Sequence, residues 1–342
     1  MSSSSVPGSG KPAPVGTHHR AWIQLVVTGL IIGSAFIAVY VGLQRAPVPD
    51  HLPLAAVGGQ LASAAQAGLG DSVDIQQVAT LDEGAALVRN GDAVAVVGLT
   101  APTTLQFDYA GASGFSESGA ARQLVAGLAH KGGFTVAETD LVPLVKYDSR
   151  GLSAFYVVFG VTLASFVLAQ GLTGAVATVR LRHRLYAMAG FAVAIGVTAA
   201  VITGPVYGSL TPSFPRLALS LILLSAASAF ATKALGAWLG PAGIGLAVLV
   251  LTTIGNATSG ATLGIDLLPG WAQAISAKLP PGAAYRAIND FGYFGGSHAG
   301  SSLVVLAIWF VVGLGLVLLR QRTAAHQVTQ KAAEAEPQVV VG

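Results

Sequence analysis

The sequence predicts an α-helical multi-pass membrane protein of about six spans, with one extracytoplasmic α/β or α+β domain between spans 1 and 2. Composition is the first reason, because only 10% of the 342 residues are charged and 53% are hydrophobic, whereas soluble domains carry about 25% charged residues. The second reason is a series of long apolar runs, since about 20 apolar residues in a helix cross a bilayer. The third is one long polar stretch between the first two runs.

Six apolar runs are the predicted spans. Residues 1–20 precede them and are rich in Ser, Pro and Gly, which predicts a disordered cytoplasmic tail. Span 1, residues 21–43, is too long for the apolar core of a cleaved signal peptide, so we expect a retained anchor. Residues 152–320 are expected to form a five-span membrane domain, and residues 321–342 a cytoplasmic tail. The candidate spans are Trp22–Leu43, Phe155–Val176, Tyr186–Tyr207, Leu217–Thr232, Ala237–Ile254 and Leu303–Leu319.

The positions of Lys and Arg predict the orientation of the spans. Arg180, Arg182 and Arg184 lie close together in the short loop between spans 2 and 3. Cytoplasmic loops carry an excess of such residues, so this loop and both termini are predicted to be cytoplasmic. A composition with 43 Gly among 342 residues favours a bacterial protein, which we place in the cell membrane.

The long polar stretch, residues 44–151, is predicted to be a separate soluble domain, which we call the sheet domain. It contains 11 of the 15 acidic residues and six Lys or Arg residues. Apolar runs typical of strands alternate with helical periods in the order βαβαββαβ. Thr80 and Glu83 have the spacing of a capping box at a helix start. The strands are expected at Leu52–Val57, Val73–Val78, Ala93–Val97, Thr104–Tyr109 and Phe134–Leu141, and the helices at Gln60–Leu69, Leu81–Arg89 and Glu117–His130.

The sequence contains no constellation for catalysis. It has no cysteine, which excludes thiol nucleophiles, disulfides and thiolate metal sites. The sheet domain has neither a nucleophile elbow nor paired histidines at metal-binding spacing. Gly8-Ser9-Gly10-Lys11 lacks the earlier Gly and the following Ser or Thr that a phosphate loop requires. We expect no enzymatic activity, catalytic residue, cofactor or metal, and a lipid bilayer rather than nucleic acid as the partner.

Residues 256–302, between spans 5 and 6, are too long for a turn and too polar to span, and we call them the connecting segment. Trp271 lies among apolar residues at helical spacing, which indicates a short helix at the outer membrane interface. Arg286 and Asp290 are four residues apart on a second short helix, either as an ion pair or as an ordinary solvated pair. These three residues are candidates for an outer gate or for interface helices. Gln170, in span 2, is the candidate for an intramembrane polar contact between helices.

Several short motifs carry a resemblance to a known family. They are Asp148-Ser149-Arg150-Gly151, Leu267-Leu268-Pro269-Gly270-Trp271, Leu279-Pro280-Pro281-Gly282 and Tyr293-Phe294. Together with the order of spans over roughly residues 20–320, they resemble the permease of type-2 ABC exporters, in the branch related to phage-infection proteins and their actinobacterial relatives. The resemblance implies a homodimer or heterodimer and a separate ABC ATPase subunit.

Two functions are open at this stage. The first is a permease-like subunit of an exporter for a hydrophobic or amphipathic substrate, with ATP hydrolysis supplied by a separate subunit. Its contact with that ATPase is expected at the loop that contains Arg180, Arg182 and Arg184. The alternative is a non-transporting cell-envelope protein whose outer domain binds a wall component, a partner protein or a phage. Binding of an ATPase to the chain would favour the first function.

Overall fold

The computed structural model of this chain describes residues 16–174 and 179–335. Helix α1, Gly16–Gln44, is the first of five described helices that are long and apolar enough to cross a membrane. It begins before the predicted start of span 1, because the four residues after Gly16 include no Gly or Pro to interrupt a helix. The predicted disordered tail is therefore wrong for residues 16–20, and residues 1–15 lie outside the described part of the chain.

The sheet domain contains five strands and three α-helices in the predicted order. The elements are β1 (Leu52–Val57), α2 (Gly59–Leu69), β2 (Val73–Val78), α3 (Leu81–Asn90), β3 (Ala95–Ala101), β4 (Thr104–Tyr109), α4 (Phe115–Gly132) and β5 (Thr135–Asp140). The strands lie in the order β2-β1-β3-β4-β5, in which β3 and β4 are antiparallel and the other neighbours are parallel. Strand β3 extends four residues beyond its predicted end, because Ala101 pairs with Thr104 in the hairpin to β4.

The start and end of α3 follow from the local sequence. The Glu83 backbone N–H donates to Thr80 Oγ1 at 3.1 Å, and the Ala79 backbone N–H donates to the Glu83 carboxylate at 2.7 Å. These two bonds satisfy amide groups that a helix start leaves unpaired. The helix ends at Gly91, whose φ of 79° lies in the left-handed region that favours glycine.

The sheet is covered on both faces. Helices α2 and α4 cover one face, where Leu54, Phe107 and Val125 are buried together. Helix α3 covers the other face, where Val88 packs with Val96. Both faces are apolar because parallel strands that are covered on two sides need apolar residues at successive positions.

The sheet domain is followed by three long apolar helices and a shorter one. They are α5 (Ser153–Gly174), α6 (Leu181–Val201), α7 (Phe214–Leu239) and α8 (Pro241–Ala257). Helix α6 continues into a π-helical turn, Ile202–Val206. Part of the predicted cytoplasmic loop, residues 175–178, lies outside the described residues.

Helix α7 is the central helix of this bundle, and 83% of its apolar stretch is buried inside the protein. Leu221 packs with Val158 of α5 in the largest apolar cluster. Helix α6 approaches α7 closely at Gly196, where an added Cβ would lie 2.7 Å from the Ile222 backbone nitrogen. Small residues permit such close backbone approach in membrane helices.

The predicted boundary between spans 4 and 5 is wrong. Lys233 immediately follows the predicted end of span 4, Leu217–Thr232, but it lies inside α7 with 3% of its surface exposed. Its ammonium group donates to Thr173 Oγ1 at 3.1 Å, near the carboxyl end of α5. The helix continues to Leu239 because the break comes at Gly240, which has a φ of 59°. The predicted fifth span is therefore the short helix α8, and it falls below the length of the five long helices.

The connecting segment forms two short helices before the last long helix. They are α9 (Gly270–Ser276) and α10 (Pro280–Tyr293), followed by α11 (Ala299–Ala335). Pro280 begins α10, because its missing N–H group is not needed in the first turn of a helix. Helix α11 continues through most of the predicted C-terminal tail, and residues 336–342 lie outside the described residues.

Candidate functional site

A cavity of about 520 Å³ lies between the sheet domain and the connecting segment. The sheet domain contributes the start of β1, the turn between α3 and β3, and the first turn of α4. The connecting segment and the first two turns of α11 form the remaining walls. The charged and histidine side chains among the lining residues are Glu117, Asp266, Lys278, Arg286, Asp290 and His298.

The connecting segment is docked on the sheet domain next to this cavity. Phe294, which has 7% of its surface exposed, packs in the apolar cluster on the α3 face of the sheet. Gly91 leaves room for the ring, since an added Cβ there would lie 3.0 Å from Phe294 Cγ. The Asn289 amide donates to the Ala112 carbonyl at 3.3 Å. These contacts join α10 to the sheet domain through both apolar and polar groups.

The connecting segment also contacts the chain just after α1. The Asp50 backbone N–H donates to the Asp266 carbonyl at 2.8 Å, and the Gln273 amide donates to the Asp50 carbonyl at 3.3 Å. Leu43, at the end of α1, packs with Leu268. One wall of the cavity is thereby tied to α1 as well as to the sheet domain.

Two carboxyl groups from different parts of the chain meet in the cavity. Glu117, in the first turn of α4, has 5% of its surface exposed, and its carboxyl group faces the Asp266 side chain. The Asp266 backbone N–H also donates to Glu117 Oε1 at 3.4 Å. A side chain at Gly264 would overlap the Glu117 carboxyl group, and the φ of 84° at Gly264 also favours glycine. The backbone of the connecting segment therefore lies directly against this acid.

Burial raises the pKa of both carboxyl groups. Burial raises the pKa of Glu117 well above its usual range, and the neighbouring charge of Asp266 adds to the shift. Burial also raises the pKa of Asp266, although the hydrogen bond from Glu117 and the charge of Arg286 oppose that shift. Neighbouring like charges disfavour ionisation of both groups, and the larger upward shift of the pKa, on Glu117, favours this residue as the one that holds a proton.

Arg286 faces this pair from α10 without a close ionic partner. Within the described residues no carboxylate oxygen lies within 4.0 Å of its guanidinium, and its buried Nε has no hydrogen-bond partner. One Nη donates weakly to Ser276 Oγ at 3.5 Å. Burial lowers the pKa of Arg286 against the attraction of Asp266. The guanidinium therefore keeps unused hydrogen-bond donor capacity.

The predicted pairing of Arg286 with Asp290 is not formed. Asp290 accepts a hydrogen bond from the His298 backbone N–H at 2.9 Å, just before the start of α11. The His298 ring lies 3.0 Å from an Asp92 oxygen, which links the connecting segment to the sheet domain once more. The two residues are four apart on one helix, but Arg286 faces the Glu117–Asp266 pair, whereas Asp290 satisfies backbone groups near a helix start.

Trp271 and Gln170 do not join this site. Trp271 lies in the first turn of α9 with 57% of its surface exposed. It lines no part of the cavity, although it belongs to the same segment as Arg286. Gln170 lies on an exposed position of α5, rather than buried between helices as predicted. The buried polar contact between α5 and α7 is instead the 2.7 Å hydrogen bond between Ser165 and Ser225.

The three predicted ATPase-contact arginines differ in exposure. Arg180 immediately precedes α6, and both Arg180 and Arg182 are exposed. Arg184 has only 7% of its surface exposed, and one Nη lies 3.5 Å from the Leu172 carbonyl at the end of α5. Cations interact favourably with the carboxyl end of a helix, so Arg184 stabilises this end of the bundle and is not a surface contact.

One of the family-like motifs has a local structural role. Asp148 accepts hydrogen bonds from the Leu152 and Ser153 backbone N–H groups, each at 3.0 Å. These are amide groups at the start of α5 that have no partner within the helix. Gly151, with a φ of 68°, turns the chain between Asp148 and that helix. The motif therefore fixes the exit from the sheet domain into α5.

Comparison of the sequence with protein-family models and with curated proteins gives no match. The site must therefore be interpreted from its chemistry. In the described ranges, 16–174 and 179–335, no group of three His, Asp or Glu side chains is placed to bind a metal ion. The groups that the cavity presents include the carboxyl groups of Glu117 and Asp266, a guanidinium and an ammonium group, set among apolar residues such as Val94 and Val305.

Glu117 and Asp266 were not predicted as site residues. A signal for Glu117 was present, because Ala121 and Val125 follow it at intervals of four residues on the buried face of α4. A carboxyl group on an apolar helix face must find a partner or take up a proton. Asp266 had no comparable signal, since it lies in a short turn outside the helical periods.

Proposed function

We propose that the chain is a permease-like subunit of an exporter for a hydrophobic or amphipathic substrate, with ATP hydrolysis supplied by a separate subunit. The supporting observation is the cavity of about 520 Å³ shared by the sheet domain, the connecting segment and the start of α11. Its size and its mixture of apolar walls with a few charged groups are typical of small-ligand sites. A ligand there would contact both the sheet domain and a membrane helix.

Under this proposal the chain lies in a bacterial cell membrane as part of a homodimer or heterodimer. The sheet domain and the connecting segment are extracytoplasmic, and both termini are cytoplasmic. Arg180 and Arg182 are then exposed on the cytoplasmic side at the start of α6, where a separate ABC ATPase subunit would bind.

A second candidate is a non-transporting envelope protein that binds a wall component, a partner protein or a phage through the sheet domain. One observation favours it. Apart from Val305, every lining residue of the cavity belongs to the sheet domain or to the connecting segment. The cavity therefore stops at the end of the bundle, as a binding site without a transport path would.

The experiment that separates the two functions reverses one exposed charge. Arg182→Glu leaves Arg180 and the buried Arg184 to retain the loop on the cytoplasmic side. The tagged chain is purified from membranes of its own host, and ATP hydrolysis in the purified fraction is measured together with efflux of amphipathic dyes. A like-charge contact at a protein interface costs several kcal/mol, so the exporter proposal predicts a large loss of co-purifying ATPase activity and of efflux. Arg89→Glu, an exposed reversal in the sheet domain, is the matched control and should change neither.

The outcomes distinguish the two candidates. Loss of ATPase activity and efflux in Arg182→Glu but not in Arg89→Glu supports the exporter. If no ATPase activity co-purifies even with the parent chain, the proposal fails in favour of the envelope-binding protein. If activity co-purifies but Arg182→Glu has no effect, the contact lies elsewhere and the role assigned to this loop is wrong.

A further inference from the structure

Arg286 is a charged group of the cavity with unused hydrogen-bond donors. Its guanidinium is largely buried, its Nε has no partner, and its one hydrogen bond, to Ser276 Oγ, is long at 3.5 Å. A buried charge without a close partner is costly, and a bound anion would remove that cost. The planar guanidinium matches the oxygen atoms of carboxylate, phosphate or sulfonate groups in particular.

The balance of charge around Arg286 depends on Glu117. Asp290 lies near the start of α11, and His298 lies against Asp92. The ionised groups on the cavity walls are Lys278, Arg286, Asp266 and Asp290. With a proton on Glu117 the positive and negative charges of these groups are equal in number. Loss of that proton leaves one excess negative charge and places a second carboxylate opposite Arg286.

We propose that Arg286 binds the anionic group of an amphiphile in this cavity, and that this binding requires Glu117 to be protonated. The inference rests on the proposed function and names the class of its substrate: an anionic headgroup on an apolar chain. Ile265 and Val305, which line the cavity, supply apolar contacts for the chain. Lys278, on the same wall, supplies a second positive charge.

The direction of the pH dependence follows from the groups that face the pair. Asp266 faces Glu117 and is itself near Asp50, and Tyr285 and Arg286 face Glu117 from α10. Burial raises the pKa of Glu117, so its proton is retained at low pH and lost as pH rises through that raised value. Affinity for an anion should be greatest below this pKa and should fall above it, by up to about tenfold per pH unit for one linked proton.

The experiment measures protection of a single cysteine in the cavity. The natural chain has no cysteine, so Ser301→Cys, at a lining position, gives one reactive thiol in the full-length protein in nanodiscs. Its reaction with neutral N-ethylmaleimide is followed with decanesulfonate, decanol or decyltrimethylammonium present. Each rate is divided by the rate without amphiphile at the same pH, which removes the effect of thiol ionisation. Ser297→Cys, exposed and outside the lining, is the control for partition into the lipid.

The expected result is protection of Ser301→Cys by decanesulfonate at a concentration at least tenfold lower than the other two amphiphiles require. Adding Glu117→Gln should make this protection independent of pH, because the Gln amide donates to Asp266 as the protonated acid does. Asp74→Asn, an exposed acid of the same domain, should leave the pH dependence unchanged. Arg286→Gln should weaken protection at least tenfold at every pH.

Three results would overturn the inference. The first is equal or stronger protection by the cationic or neutral amphiphile in the protein that carries Ser301→Cys alone. This comparison does not require the Glu117→Gln or Arg286→Gln variant to fold. The second is an unchanged pH dependence in Glu117→Gln, and the third is undiminished protection in Arg286→Gln. Protection that fails to discriminate charge leaves the proposed exporter intact, because the ATPase and efflux measurements test that function separately.

Discussion

Phe294 belongs to the connecting segment, but its ring is buried in the sheet domain, so its removal measures how firmly these two parts are docked. The ring has 7% of its surface exposed and packs with Val88 and Ala93. Truncation of a buried Phe to Ala costs about 3–5 kcal/mol, through lost apolar burial and the cavity that remains. A loss of about 3 kcal/mol corresponds to a more than 100-fold larger equilibrium constant for undocking.

Hydrogen exchange of the full-length protein in nanodiscs measures this change. In Phe294→Ala we expect amides of the Gly111–Glu117 region and of the C-terminal half of α10 to exchange about 100-fold faster. The central strands β1 and β3 should keep their protection, since only one face of the sheet loses a contact. Trp271→Ala is the matched control, because this large aromatic residue of the same segment is exposed.

The reasoning would be refuted by exchange in Phe294→Ala that stays within about threefold of the parent while the protein remains folded. The docking would then depend on the polar contacts, such as Asn289 to Ala112, and not on the buried ring. Faster exchange in Trp271→Ala to the same extent would also refute it, because the effect would not depend on burial.

Two further predictions concern the bundle. Gly196→Ala should destabilise the protein by about 1–3 kcal/mol, because the added Cβ would lie against the Ile222 backbone. Thermal unfolding of the purified protein measures this change. Gly190→Ala, on the same helix with nothing within 4 Å of the added Cβ, is the control and should leave stability unchanged. Equal effects of the two substitutions would contradict the close packing of α6 and α7. Single cysteines at Ser297 and His326, before and within α11, should lie on opposite sides of the membrane. Only Ser297→Cys should react with an impermeant thiol reagent added outside, and labelling of His326→Cys in intact cells would reverse the predicted orientation.

The sheet domain was predictable because its signals are local. Apolar runs predicted the five strands, and Thr80 with Glu83 predicted the start of α3, as its hydrogen bonds confirm. Boundaries were less accurate where pairing with another strand decides them, as at the end of β3. The membrane helices were located by length and composition, but the break after α7 was misplaced at Lys233. A buried lysine near the end of a neighbouring helix cannot be distinguished by sequence alone from a lysine in a loop.

The sequence determined which parts of the chain are apolar helices, which part is the sheet domain, and where its helices begin, because these depend on neighbouring residues and their periodicity. The tertiary structure alone decided which side chains share a site. Glu117 and Asp266 are 149 positions apart, and their contact needs α4, the turn at Gly264 and the docking of Phe294 all at once. Arg286 turns from its neighbour Asp290 to this pair for the same reason. The path of the whole chain, and not local spacing, decides which carboxyl group faces the guanidinium.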